Sequence, residues 1–153
     1  MVEIEINTIK DFDLLFIENI KKLEIENLGA DAALNEWQIP VIIRYGRFIA
    51  AIDENDSIIG VCQGIRCWQD TKIAFIHSFY ITPGFRGRGI GKKLLCYTAG
   101  LFKSEGCESI ELTVAPENMP AVSLYKNAGF TIIRTEYDEY GRGRNRYLMK
   151  LML

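Results

Sequence analysis

The 153-residue sequence has little of what metal centres and disulfide frameworks are built from. It contains one histidine, His77, and four cysteines without a CxxC pair, so the common zinc patterns are excluded and we expect no metal. The opening residues alternate acidic and apolar side chains, which is not a signal peptide. We therefore expect reduced, buried thiols rather than disulfides, and the four cysteines are Cys62, Cys67, Cys96 and Cys107.

Long hydrophobic runs are also missing, because no apolar segment approaches the ~20 residues of a membrane span. Apolar residues make up 48% and charged residues 25% of the chain, as in an ordinary globular protein. These features predict one soluble, cytoplasmic domain without membrane contact. Nucleic-acid binding is not expected, because the net charge is −2 and no basic stripe alternates with aromatic residues.

The charge is unevenly distributed along the chain. Residues 1–36 contain nine acidic and three basic side chains, giving −6, whereas the remaining residues sum to +4. An acidic half could attract a cationic substrate, and a basic half could hold an anionic cofactor. An acidic, solvated helix face explains the excess of acidic residues in 1–36 equally well.

Hydrophobic periodicity predicts a mixed sequence of elements. Apolar side chains at helical spacing predict a long helix, with Phe12, Leu15, Phe16, Ile20 and Leu23 on one face. That helix covers 9–27. Two apolar runs around Asn55-Asp56 predict a hairpin over 47–68, and residues 72–81, KIAFIHSFYI, are apolar on both faces, which predicts a central strand covered on both sides. The remaining elements are strands over 2–6, 109–114, 130–137 and 145–153, and helices over 35–46, from Ile90 to Gly106, and from Asn118 to Gly129. This order predicts an α+β domain around a largely antiparallel sheet.

Residues 82–95, TPGFRGRGIGKKLL, include the alternating glycines Gly87, Gly89 and Gly91 between a buried strand and the start of a helix. The first amides of a helix have no intrahelical acceptor, and the helix dipole adds positive potential there. Such a turn is suited to a diphosphate. A Walker A loop would need glycine at position 86 and serine or threonine at 93, where the chain has Arg86 and Lys93, and no dinucleotide G-x-G-x-x-G spacing can be placed.

The pattern that fits is Arg-x-x-Gly-x-Gly, with Arg86, Gly89 and Gly91, followed about thirty residues later by NMPAVSLYKNAGF. With both motifs at this spacing, the chain resembles the GCN5-related N-acetyltransferase (GNAT) superfamily. The resemblance implies a single GNAT domain over 1–153, with six or seven mostly antiparallel strands and about four helices. It also implies an acyltransferase that uses acetyl-CoA as co-substrate.

The resemblance further implies a cofactor site. In the family, the glycine loop binds the CoA diphosphate through backbone amides, and the strand before it splays from its neighbour and pairs with the pantetheine arm. The cofactor-binding residues implied are Phe79, Tyr80, Ile81, Arg86, Gly87, Arg88, Gly89, Ile90, Gly91, Lys92, Asn118 and Tyr125. Asn118 is equally explained as a helix cap, and Tyr125 as a core residue of an amphipathic helix.

Two catalytic residues are implied. Tyr125 would hydrogen-bond or protonate the leaving thiolate. The pKa values of a thiol, ~8.5, and of a phenol, ~10, differ only modestly, so a hydrogen bond between the two groups is favourable even if full proton transfer is slightly uphill. A general base is needed because an alkylamine of pKa ~10 arrives protonated. His77 stands where the family often has glutamate, although a buried, hydrogen-bonded histidine is an equal alternative. Glu111 acting through water, or water alone, are further candidates.

No residue arrangement suggests an acyl-enzyme, so we expect direct attack by a primary amine in a ternary complex. The acceptor stays open: Glu24, Glu26, Asp138 and Glu139 suit a cationic amine, whereas Arg142, Arg144 and Arg146 suit a carboxylate or phosphate. A peptide or a small molecule would both serve. A non-catalytic acyl-CoA-binding or sensing module on the same fold is the alternative function, and a homodimer through the apolar last strand is a further expectation.

Overall fold

The computed structural model describes residues 3–153 and has an α+β fold. Seven strands form a mostly antiparallel sheet, as the sequence predicts, and their order in the sheet is β1-β2-β3-β4-β5-β7-β6. The strands are β1 Ile4–Ile9, β2 Arg47–Asp53, β3 Ile58–Arg66, β4 Ile73–Ile81, β5 Ser109–Val114, β6 Thr131–Glu136 and β7 Arg146–Met152. The helices are α1 Leu14–Leu28, α2 Ile39–Tyr45, α3 Ile90–Ser104 and α4 Met119–Asn127.

The chain forms two compact units. The first extends to Ile65 and includes Ser78–Leu94, and the second contains Arg66–His77 and Leu95–Leu153. Strand β4 and helix α3 each contribute residues to both.

In the first unit, alternate residues of the strands enter two different cores. Phe48, Ala50, Val61 and Tyr80 pack with the apolar faces of α1 and α2. Ala51 and Ile59 instead pack with Ile90 at the start of α3. Because successive side chains of a strand point to opposite faces, these strands are covered on both sides.

In the second unit, β5 lies between a parallel and an antiparallel partner. It pairs with β4 from Ile73↔Ser109 to Ile76↔Leu112, and with β7 along its whole length, from Ser109↔Met152 to Val114↔Tyr147. The last strands, β6 and β7, form an antiparallel pair.

The two N-terminal helices differ from the prediction. Helix α1 begins at Leu14 rather than residue 9, because Ile9 belongs to β1 and the Asp13 side chain caps the helix by accepting from the Phe16 amide at 2.8 Å. Helix α2 begins at Ile39 rather than residue 35, because the Asn35 side chain accepts from the Trp37 amide in a preceding turn. The predicted strand over 2–6 is shifted to Ile4–Ile9, and Val2 lies outside the described residues.

The buried face of α1 is close to the predicted one. Ile20 is fully buried, and Phe12, Phe16 and Leu23 pack against the same core cluster, while Leu15 is exposed and Ile17 is buried instead. In α3 the residues Leu94, Leu95 and Phe102 are buried, while Tyr97 is partly exposed. The exchange of Leu15 for Ile17 arises because adjacent apolar residues allow two overlapping 3.6-residue periods.

Glu24 is wholly buried in the first unit, so the expectation that it seats a substrate amine at the surface is wrong. Its carboxylate accepts from Gln63 Nε2 at 2.6 Å and from the Leu34 amide at 3.2 Å. Burial raises the pKa of Glu24 above its usual value, although these hydrogen bonds and the nearby Tyr80 hydroxyl oppose the shift. The buried and otherwise apolar face of α1 thus contains one carboxylate, that of Glu24.

None of the four cysteines forms a disulfide, and all four lie within the described residues. Cys62 and Cys107 are buried, as predicted. Cys67 is only partly buried, and Cys96 is exposed because it lies on the outer side of α3. Across residues 3–153, no helix is both long enough and apolar enough to span a membrane.

The raised pKa of Glu24 predicts a pH-dependent contribution to stability. Because the folded state holds this proton more tightly than the unfolded state, the stabilisation is complete below the ordinary pKa of 4.5 and is lost as pH rises through the folded value. The unfolding free energy of wild type minus that of Glu24→Gln should therefore fall as pH rises from 4.5 toward neutrality. Urea denaturation at several pH values measures this difference.

Glu18→Gln is the matched control, because Glu18 is an exposed glutamate on the same helix. A Glu24→Gln difference as flat with pH as that of Glu18→Gln would contradict a raised pKa.

Candidate functional site

The glycine loop lies entirely in the first unit. Strand β4 ends at Ile81, a short 3-10 turn covers Pro83–Phe85, and α3 begins at Ile90. Between them, Gly87 and Gly89 adopt φ angles of +74° and +77°, a region that side chains disfavour. Among residues 3–153, and apart from the adjacent residues in the chain, no atom lies within 4 Å of a Cβ built at either glycine. The glycines thus form a tight turn whose outer side is open.

This turn brings the first amides of α3 to the surface. The Lys93 amide donates to the carbonyl of Gly89, the residue just before α3, at 3.1 Å. The amides that precede Lys93 in α3 have no acceptor within the helix. Arg88, Lys92 and Lys93 are exposed around them. Ile90 differs from the others, because its side chain is buried in the core and only its backbone is offered to a ligand. The geometry suits an anion.

The Arg86 side chain is held by protein groups on both sides of the loop. Its Nε donates to the Ile81 carbonyl at 2.8 Å, and its Nη2 donates to Asn27 Oδ1 on α1 at 3.4 Å. Arg88 lies 5.2 Å from the centre of the Phe85 ring, within the range of a cation–π contact. The two arginines thus have distinct environments, and Arg86 contributes to the position of the loop itself.

The strand before the loop contains Phe79, Tyr80 and Ile81, which were predicted from the resemblance to meet the pantetheine arm. Their positions lie beyond the register in which β4 pairs with β5, because that register ends at Ile76↔Leu112. Tyr80 points into the core of α1 and α2 beside Glu24. Phe79 and Ile81 are half-buried on the other face. Only the backbone of Tyr80 is therefore available to contact a ligand at this position.

Tyr125 and Asn118 lie in the second unit, on α4. The Tyr125 side chain is buried and its ring centre lies 5.8 Å from that of Phe130. Asn118 caps α4, with Oδ1 accepting from the Ala121 amide at 3.3 Å. The capping role expected for Asn118 is confirmed, while its role toward CoA, and that of Tyr125, stay predictions.

His77 is exposed on β4, so the alternative of a buried structural histidine is wrong. The surrounding protein nevertheless desolvates the imidazolium enough to lower the pKa of His77 below its usual value. Glu111 on β5 pairs with Lys150 at 3.4 Å. Because Phe75 is the register partner of Glu111, the side chains of His77 and Glu111 emerge on one face of the second unit's strands.

The candidate acceptor residues have different environments. Asp138 is used within its own turn, where Oδ1 accepts from the Gly143 amide at 2.6 Å and the φ angle is +54°. Arg146 Nη2 donates to the Thr113 carbonyl at 3.0 Å, and its guanidinium lies 5.3 Å from the Tyr140 ring centre. Glu26 is exposed and pairs loosely with Lys22. None of these contacts identifies the acceptor.

The first unit thus joins the β4 end, the glycine loop and the start of α3, whereas the second unit carries His77, Asn118 and Tyr125. Sequence reasoning missed the buried Glu24 cluster and the contact of Asn27 with Arg86. The position of Glu24, four residues after Ile20 and seven after Ile17, is a signal that could have revealed the first. No pattern in the sequence indicates the second.

Comparison with known proteins identifies the family to which the chain belongs. A family model described as the acetyltransferase (GNAT) family matches residues 14–130. The chain therefore belongs to the GNAT acetyltransferase family.

Two curated relatives illustrate the extent of the match. An uncharacterized N-acetyltransferase of Methanocaldococcus jannaschii is 38% identical over 69 residues, which are 45% of this chain and 30% of that protein. A thialysine N-epsilon-acetyltransferase of Bos taurus is 34% identical over 98 residues, covering 64% of this chain and 49% of the relative. The matched segments thus span less than half the length of these relatives.

Among solved structures, an acetyltransferase of Bacillus subtilis in complex with CoA has a TM-score of 0.78. The alignment covers 99% of each chain at 16% sequence identity, which shows a shared fold.

The glycine conformations lead to a prediction about stability. Gly89→Ala should lower the unfolding free energy by about 1 kcal/mol, because a Cβ is strained at its positive φ although space is available. Gly84→Ala is the matched control, since Gly84 also has open space but no positive φ. It should leave stability unchanged or raise it by a few tenths of a kcal/mol. Urea denaturation of both variants tests this, and equal values would contradict the turn geometry.

Proposed function

We propose that the chain is an acetyl-CoA-dependent N-acetyltransferase that transfers an acetyl group to a primary amine. The observation that carries the proposal is the open turn at Gly87 and Gly89, which exposes the first amides of α3 beside the end of β4. Family membership and the CoA-bound structural neighbour support the identity of the ligand. The diphosphate would accept hydrogen bonds from the backbone of residues 87–92, and Arg88 and Lys92 would add charge.

The pantetheine arm would lie along the backbone of Phe79, Tyr80 and Ile81. This placement is supported by the end of the β4–β5 register at Ile76↔Leu112, before these residues. Asn118, through groups that its cap does not use, is the proposed contact from α4. Acyl groups other than acetyl would need only a different space beyond the thioester.

The reaction we propose is direct attack. The amine nitrogen adds to the thioester carbonyl carbon, and the C–S bond then breaks to give the amide and the CoA thiolate. Tyr125 donates a hydrogen bond or a proton to that thiolate. Positioning and electrostatics would supply most of the acceleration, because no side chain is covalently modified.

His77 is the proposed acceptor of the amine proton, directly or through water. Its lowered pKa supports this role, because the imidazole is then neutral and able to accept a proton at physiological pH. Glu111 is less suited, since its carboxylate is paired with Lys150. A primary amine as acceptor is consistent with the similarity to a thialysine N-epsilon-acetyltransferase. Both small molecules and peptide amines stay within the proposal.

The function is tested by titrating the protein with acetyl-CoA in a calorimeter and then measuring thiol release with a panel of amines. We expect binding at micromolar concentration and release with at least one amine. Tyr125→Phe should bind acetyl-CoA as wild type does but release thiol more slowly, by about 10- to 100-fold. Gly89→Glu should not bind, because it adds a negative charge beside the diphosphate.

The outcomes separate the candidate functions. Binding without release from any small or peptide amine would favour an acyl-CoA sensing module instead. Absence of acetyl-CoA binding by the wild type would contradict the proposal altogether.

The role of His77 predicts a change in the pH–rate profile. Wild-type turnover should fall on the acid side as His77 is protonated, with a midpoint below the usual 6.5 because its pKa is lowered. His77→Gln should remove this acid limb and lower the rate by about 10- to 100-fold near neutrality. An unchanged limb at an unchanged rate would place the base elsewhere.

A further inference from the structure

Helix α1 meets the end of β4 in two places. Next to Ile81 in sequence, the Tyr80 side chain packs in the same core cluster as Ile17 and Ile20 of α1, close to Glu24. Arg86 binds the Ile81 carbonyl itself and reaches Asn27 of α1. We call Tyr80, Ile81 and Arg86 the strand-end junction.

Glu24 and Asn27 are three residues apart on α1 and therefore lie on neighbouring positions of one helix surface. Glu24 acts from inside the core, where its carboxylate also binds β3 through Gln63 and the chain after α1 through the Leu34 amide. Asn27 acts from the partly buried rim, where its own amide nitrogen donates to the Leu23 carbonyl at 2.9 Å. That bond fixes the orientation of the amide, so that Oδ1 faces Arg86.

Burial of the Glu24 cluster costs free energy, because polar groups are removed from water without full replacement of their hydrogen bonds. The charged groups and polar groups described around Glu24 are Gln63 from β3, the Tyr80 hydroxyl from β4 and the Leu34 amide, and no cation is among them. Within residues 3–153, the Gln63 amide oxygen and the Tyr80 hydroxyl have no well-formed hydrogen bond. An apolar side chain at position 24 would avoid these costs.

We propose that Glu24 and Asn27 are positioning residues for the acyl-CoA subsite, holding the strand-end junction from its inner and outer sides. The inference rests on the proposed function, because the junction joins the backbone assigned to pantetheine with the loop assigned to the diphosphate. Helix α1 then sets the angle at which the loop leaves β4. Neither residue touches the cofactor.

The test measures acetyl-CoA affinity in a double-mutant cycle at a temperature where every variant is fully folded. Asn27→Ala should raise the Kd about three- to tenfold, since it removes the acceptor for Arg86. In an Arg86→Gln background, the same change should raise the Kd by less than about twofold, because the shorter glutamine no longer reaches Asn27. Asn19→Ala, an exposed asparagine on the same helix, is the matched control and should leave the Kd unchanged.

A purely structural role for Asn27 would give equal effects in both backgrounds, and that result would overturn the inference. An unchanged Kd in Asn27→Ala would do the same while leaving the proposed function intact. Failure of wild-type protein to bind acetyl-CoA would instead remove the proposed function, and this inference with it.

Glu24→Gln tests the inner contact. Glutamine has one side-chain oxygen where Glu24 has two, so it cannot accept from both the Leu34 amide and Gln63. The side chain should therefore shift beside Tyr80 and raise the Kd about two- to fivefold. Glu18→Gln should not change the Kd. Equal affinities of the two glutamate variants would restrict the positioning role to the outer side and overturn the inference as stated.

Discussion

The proposed function depends on the first amides of α3, which have no acceptor within their own helix. Strand β4 ends, the chain turns through two glycines with positive φ, and α3 begins at Ile90, so that its first amides face outward. A helix start has this property in any protein. What is particular here is the rigid support: Ile90 is buried in one core, Tyr80 in another, and Arg86 bonds the strand end.

That support explains why the loop can be rich in glycine without losing its shape. Glycine lowers the cost of the turn but raises the entropy that folding must remove. Hydrogen bonds from Arg86 and packing of Ile90 limit the remaining freedom at both ends of the loop. An anion would then meet donors that need little reorganisation, which is the condition under which electrostatic recognition is strongest.

The sequence predicted most elements because their signals are local. The hairpin around Asp56, the strand Ser109–Val114 and the cap at Asn118 each rest on residues close together in the chain. The face of α1 was predicted except for Leu15, because adjacent apolar residues fit two periods and only tertiary packing decides between them. The cluster of Glu24, Gln63 and Tyr80 joins residues up to 56 positions apart, beyond any local pattern. The exposure of His77, in a strand otherwise apolar on both faces, likewise depends on which neighbours pack there.

The carboxylate inside the α1 stripe also determines how the helix sits about its own axis. A shift of α1 by one residue would rotate its face by about 100°, and Glu24 would lose Gln63 and the Leu34 amide at once. An all-apolar stripe would tolerate such a rotation far better, since hydrophobic contact has little directionality. Glu24 therefore selects one rotation of α1 about its axis among several that the apolar side chains alone would allow.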